Sequence, residues 1–266
     1  MSNQEYYYCY KYLPFDDGSR KVITEGTIKY TCPLDFNDPF DCAPCYSESS
    51  LNNVGTTKRE LISRIGKAKG WSPAKRIQNK RKVAAQLKSF IGSEKHKNSM
   101  LTQVGVLCLS RDPTSVLMWS HYAEFHKGFV VEFKIPVSGY REDALKPGIN
   151  LIPFPITYSS DRPVIEYGKE SDQETIDKAL LTKFEAWSYE EEMRVIEHER
   201  GPGIHTYVRD ERLNAVIAGM KMSEANVHLL QSDVETVNDN PRLSHVKLYN
   251  ARPSATEYSI EIPGLK

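Results

Sequence analysis

Between Trp187 and Arg194, eight positions carry Trp187, Tyr189, Glu190, Glu192 and Arg194. If the chain runs as a strand from Tyr189 onward, side chains alternate. Glu190, Glu192 and Arg194 then share one face, and Glu191, Met193 and Val195 share the other. Three charged groups on one short face are costly to bury unless they pair with each other or bind something. Two readings stay open. One is a solvated strand edge or a structural Glu–Arg pair. The other is a functional pair of carboxylates held in place by an arginine.

A second group lies in Ser110–Ala123, SRDPTSVLMWSHYA. Asp112 or Thr114 is placed to cap a helix carrying Leu117, Met118, Trp119, His121 and Tyr122. Trp119 and Tyr122 are three apart and fall on neighbouring parts of one face, while His121 points elsewhere. His121 reads either as a satisfied structural histidine or as a catalytic one, since both its ring nitrogens need partners in either case. A third group is FNDPFD, residues 36–41. Asn37, Asp38 and Asp41 can bond nearby backbone amides, and Pro33 and Pro39 block regular structure. An Asx turn with Phe36 and Phe40 pinned inward is the expectation. Cys42-Ala-Pro-Cys45 has the spacing of a redox or zinc pair, but no second pair exists and the residues before it read as turn, not strand. No metal site is expected.

The elements that must position these residues alternate strands and helices. Residues 6–13, YYYCYKYL, have high β-propensity and read as a buried first strand. A turn at 14–20 and a second strand at Gly26–Thr31 follow. Helical spacing over 57–98 breaks near Gly70–Pro73, where Ser72 can cap a second helix with Pro73 in its first turn. Gly105–Ser110 and Phe129–Phe133 are apolar strands on either side of the aromatic helix. Residues 134–150 read as a Pro- and Gly-rich loop, and 152–158 as an edge strand interrupted by prolines. Ser171–Ala186 shows a helical stripe, Leu213–Gly219 a strand, and Ser223–Leu230 a capped helix. Val246–Tyr249 and Tyr258–Ile262 are expected to close as a strand pair. Together these predict an α+β fold: a mixed, mostly antiparallel central sheet with flanking helices, one domain over 1–266 with a basic two-helix insertion at 57–98.

The balance of 39% hydrophobic and 26% charged residues is that of a globular chain. No apolar run approaches the roughly 18 residues that a membrane span needs. The opening residues lack a basic stretch followed by an apolar one, so no secretory signal is read. Five cysteines, an odd number, argue against a disulfide framework. A cytoplasmic protein is expected. Net charge is zero, yet Lys58–Lys97 holds 13 Lys or Arg against Glu60 and Glu94. That segment is either a basic subdomain beside an acidic body or a site for nucleic acid or an anionic protein partner.

FNDPFD at 36–41, the CLS…MWSHYA series at 108–123 followed by HKGFVVEF, and K-x3-W-x-YE-x-E-x-R at 183–194 resemble a bacterial family classed as a domain of unknown function. VIAGMKMS at 216–223 and the closing LYNARPSATEYSIEI fit its tail. Some members are labelled abortive-infection or phage-resistance proteins, which implies a role in antiphage defence. A looser likeness is to ADP-ribosyltransferases, in the order of a first strand with a polar anchor, a second strand, a strand-to-helix unit with Ser and Tyr, and a late strand with the catalytic Glu. Here the order is Tyr10-Lys11-Tyr12, Gly26–Thr31, Ser110 through Tyr122, and Glu190-x-Glu192. The first strand has neither the Arg nor the His of that superfamily, and the second lacks its Ser-Thr-Ser pattern in clean form.

That likeness implies NAD as substrate. Glu192 would stabilise an oxocarbenium-like centre, and Glu190 would orient or deprotonate the acceptor. Tyr122 and Trp119 would stack on a planar base, with Ser110, His121, Lys11, Asn37 and Asp38 as further binding residues. Arg194 would brace the carboxylates or hold a phosphate. The implied function is an ADP-ribosyltransferase-like or NAD-glycohydrolase-like effector in antiphage or toxin-type defence. The alternative is a non-catalytic binding module using the basic 58–97 helices.

Overall fold

The computed structural model describes residues 5–137, 151–243 and 245–265. The loop expected over 134–150 therefore lies, from 138 to 150, outside the described residues; 134–136 continue a strand. The chain gathers into two compact units, one of residues 1–32, 104–156 and 186–266, the other of 33–103 and 157–185.

In chain order the elements begin with β1 (Tyr6–Leu13), α1 (Asp17–Thr24) and β2 (Thr27–Tyr30). Then come β3 (Cys45–Tyr46), α2 (Glu48–Asn52), α3 (Val54–Thr57), α4 (Arg59–Ala68), α5 (Pro73–Ile91) and α6 (Glu94–Leu101). β4 (Gly105–Ser110), α7 (Val116–Tyr122), β5 (Phe129–Pro136) and β6 (Phe154–Pro155) follow. The next stretch holds β7 (Thr157–Ser159), β8 (Val164–Ile165), α8 (Asp172–Leu180), β9 (Thr182–Phe184), a 3-10 turn at Glu185–Glu190, and β10 (Glu192–Glu197). Last are β11 (Gly203–Thr206), α9 (Arg209–Arg212), β12 (Leu213–Ala218), α10 (Glu224–Asn238), β13 (Lys247–Asn250), β14 (Arg252–Pro253) and β15 (Ile260–Glu261).

The first unit is built on a seven-stranded sheet in the order β13-β12-β5-β1-β4-β10-β6. Only the β12–β13 pair is parallel. This is the mixed, mostly antiparallel α+β fold read from the sequence. Alternation along β1 sends Cys9 to one face, with Leu107, Leu109, Phe133 and Val195. Tyr10 and Tyr12 go to the other, with Trp119, Val130 and Ile217. The first face is covered by Val22 and Ile23 of α1 and by Leu230, Val234 and Val237 of α10. Arg20 ties those two helices together, its Nε and Nη2 donating to Asp233 at 2.7 and 2.8 Å. α7 packs on the second face through Met118 and Trp119.

Several local expectations are corrected. The turn at 14–20 gives way to helix at Asp17, because Asp16 accepts from the Ser19 amide at 2.7 Å and starts α1. Ser115, not Asp112 or Thr114, caps α7. The Asp112 carboxylate is occupied by the Thr114 amide and hydroxyl. The helix expected to Ala186 stops at Leu180 and the chain turns into β9. The Ser223 helix runs on to Asn238, since Val234 and Val237 extend its buried stripe past Leu230. Lys247–Asn250 lies parallel beside β12, and residues 260–261 pair instead with 252–253.

The second unit contains the helical segment. α4 and α5 form on either side of Gly70, with Ser72 capping α5 and Pro73 in its first turn, as the sequence predicts. α6 is an additional helix. The short parallel pair β3–β8 brings 157–185 alongside 33–103, and a second parallel pair, β7–β9, closes within 157–185. In the FNDPFD loop, Asp38 accepts from the Phe40 amide at 2.8 Å, which is the expected Asx turn. Its product is the reverse of a pinned ring: Phe40 is 62% exposed.

Candidate functional site

The strands set the site. Directly opposed residues of antiparallel strands point to the same face. Opposed pairs run Glu132↔Tyr10, Tyr10↔Ser110 and Ser110↔Glu192. A polar row therefore crosses β5, β1, β4 and β10 on the face that carries α7. Tyr10 donates to Glu132 at 2.9 Å, and Asn214 donates to the other Glu132 oxygen. Burial lifts the Glu132 carboxyl above the usual carboxylate range, against the pull of those two bonds.

Next along β10, Arg194 lies opposite Cys108 and shares a face with Glu192. Its Nε and Nη2 donate to the two Glu192 oxygens at 2.8 and 3.2 Å. Arg194 is fully buried and Glu192 nearly so. Burial drives the Cys108 thiol far above its ordinary range, and a hydrogen bond with Glu192 adds to the rise.

Glu190 does not share the strand face expected for it. The 3-10 turn ends on Glu190, and Glu191 takes a left-handed φ of 42° before β10 begins. That backbone is held from β4: Ser110 Oγ donates to the Glu190 carbonyl at 2.6 Å, and the Arg111 amide donates to the Glu191 carbonyl at 3.1 Å. The Glu190 side chain reaches α7, where the Tyr122 hydroxyl donates to Oε1 at 2.7 Å. Glu190 is buried and Tyr122 half-buried.

Lys11 enters through a gap in the sheet. The β1–β4 ladder holds at Tyr10↔Ser110, while Val106 bridges to Thr31. Between those points Lys11 Nζ donates to the Cys108 carbonyl at 2.9 Å, where a closed ladder would place a backbone amide. Burial pulls the lysine below its ordinary pKa, while Cys108, Glu192 and Glu190 pull it back up. Two glutamates, a lysine and an arginine thus converge as a charge-balanced group drawn from β1, β10 and the turn before it.

Beside Glu190 lies a run of accessible rings. His121 is exposed, its centroid 6.2 Å from those of Tyr122 and Tyr189, and Trp187 stands 6.1 Å beyond Tyr189. Trp119 is not part of it. That indole is fully buried, edge-on to Tyr12 at 5.5 Å, with Nε1 donating to the Pro113 carbonyl. It offers no free face for a base to stack on. Asn37 and Asp38 belong to the other unit, where Asn37 is exposed and Asp38 holds its own turn. Among the described residues no three His, Cys, Asp or Glu are grouped to hold a metal, and no helix is long and apolar enough to cross a membrane.

Lys11, Ser110, Tyr122, Glu190, Glu192 and Arg194 are thus brought together from positions spread over most of the chain. Residues 118–195 match the model of a family described as a protein of unknown function, DUF2971. The match spans Tyr122, both glutamates and Arg194, and stops short of Lys11, Ser110 and the FNDPFD loop. No curated protein and no solved structure matches the chain.

The sequence placed Tyr10 in the first-strand anchor segment without a role of its own, and the roles of Glu132, Asn214 and Cys108 were missed. Glu132 carried the plainest signal, a lone carboxylate inside the apolar strand FVVEFKIP. Tyr189 and Trp187 stood in the singled-out stretch without a role.

Proposed function

We propose that the Glu190–Glu192 cluster is the reaction centre of an NAD-handling enzyme, a glycohydrolase or ADP-ribosyltransferase serving in bacterial antiphage or toxin-type defence. One observation carries the reading. Two buried glutamates, one accepting from Tyr122 and the other from Arg194, lie beside a run of accessible rings. Carboxylates at that depth are rarely retained without pairing or function.

The reaction breaks the C–N bond between ribose C1′ and nicotinamide. The bonding pair leaves with nicotinamide, which departs neutral, and C1′ gains oxocarbenium character. Glu192, with both oxygens on Arg194, supplies the negative charge that steadies it. Water or an acceptor side chain adds to C1′, and Glu190 takes the proton released as the new bond forms. Tyr122, His121 and Tyr189 supply ring faces for the planar base in the place expected of Trp119.

The test is nicotinamide release from NAD by purified protein, with cell lysate as acceptor source. Wild type is expected to deplete NAD, and Glu192→Gln to lower the rate by roughly 10²–10³-fold with unchanged circular dichroism. NAD left intact by the wild type overturns the proposal.

A further inference from the structure

The basic segment is unused by that chemistry. α5 holds six Lys or Arg in 19 residues and no Asp or Glu. Lys75, Lys80, Arg81 and Lys82 on α5, and Arg59, Arg64 and Lys67 on α4, are all exposed. Among the described residues, none of the Lys and Arg between 58 and 97 stands in an ion pair with a carboxylate.

α8, in the same unit, is built differently. α8 mixes Asp172, Glu174 and Asp177 with Lys178, and Lys178 pairs with Glu170 at 2.6 Å. A helix that needs only solubility gains from mixed signs, whereas like charges along one helix repel. At about 1.5 Å per residue α5 is roughly 28 Å long, enough to lie along several phosphates. Its charge is carried on side chains already extended into solvent, and the field of so many unpaired cations draws a polyanion from a distance. We infer that the solvent face of α4 and α5 binds nucleic acid through its phosphate backbone, without reading sequence.

Fluorescence anisotropy with a labelled duplex and a single strand of equal length tests this on the full chain. If about five phosphates are contacted, duplex affinity is expected to fall roughly 500-fold between 50 and 200 mM salt. The triple variant Lys75→Glu, Arg81→Glu, Lys82→Glu is expected to lose binding. The charge-conserving triple Lys75→Arg, Arg81→Lys, Lys82→Arg is expected to keep it, which separates charge from folding. Absence of binding to both probes at 50 mM salt overturns the inference, as does binding that survives charge reversal. Self-association that nucleic acid fails to disperse and charge reversal abolishes would also overturn it, reassigning the face to the acidic surface of a second copy. None of these residues belongs to the Glu190–Glu192 cluster, so the outcome is independent of NAD cleavage.

Discussion

Replacing Arg194 with Met removes the charge partner of Glu192 while keeping much of the side-chain volume. The two side chains are 0% and 3% exposed and joined by two bonds of 2.8 and 3.2 Å. Removing one member of so buried a pair leaves an uncompensated charge and costs about 3–5 kcal/mol. Lys11, which favours the same carboxylate electrostatically, places the expected loss at the lower end of that range. Native domains are stable by only about 5–15 kcal/mol, so the loss is a large fraction of the whole. At roughly 2–4 °C per kcal/mol for a chain near this size, the midpoint should drop by roughly 10 °C. The double variant Glu192→Gln, Arg194→Met removes both charges and should recover most of the loss, because the cost comes from the orphaned carboxylate. Urea unfolding followed by tryptophan fluorescence on the four proteins of the cycle gives the coupling energy directly. A single-variant cost below about 1 kcal/mol, or a double variant as unstable as the sum of the two singles, would refute the claim that a buried, coupled pair organises this strand.

Other variants probe the rest of the unit. Because burial raises the folded pKa of Glu132, the protonated form favours the native state: its stabilising contribution is present below the unfolded carboxylate pKa and is lost as pH rises through the folded value. Glu132→Gln removes that titration, so wild type should lose stability relative to the variant as pH climbs from about 4. A wild-type-minus-variant difference that stays flat over pH 4–8 in urea melts would contradict the assignment. Gly128→Ala should destabilise by about 1–3 kcal/mol, since its new Cβ would collide with the Leu13 carbonyl where β5 and β1 meet. Thermal melting within 1 °C of wild type would show that this backbone can yield.

The fold was largely legible where one physical signal acted alone. Gly105–Ser110 forms with the bounds its apolar run suggests, and Ser72-Pro73 starts α5 as capping chemistry requires. Glu192 and Arg194 share a face because two-residue alternation holds once β10 begins. Reading failed where tertiary contacts override local preference. Nothing in the type of Glu191 announces a left-handed residue, and the bonds that hold it come from Ser110 and Arg111, about eighty positions earlier. The same holds for Glu124, Phe125 and His126, three consecutive non-glycine residues with positive φ after α7. Lys11 sits in a strand whose neighbours at Cys9 and Leu13 are apolar. Its role exists only because β1 and β4 part beyond Tyr10, and that splay is a property of the sheet. Trp119 and Phe40 exchanged their expected environments for one reason: burial is decided by what packs above a residue, which helical spacing and Asx chemistry leave open.

The central place of β1 has a consequence for how the chain is made. Tyr10 pairs with Glu132, 122 positions later, and Glu192 joins the row later still. At roughly 5–20 residues per second of synthesis, β1 leaves the ribosome some 6–25 s before its β5 partner. Until β4 is made, late in that interval, an aromatic eight-residue strand with a single charge has neither edge covered. Such a segment calls for chaperone cover in the cell and slow, concentration-sensitive refolding in the test tube. The cluster of Lys11, Glu190 and Glu192 then comes into being only when β10 docks, so no chain shorter than that strand carries it.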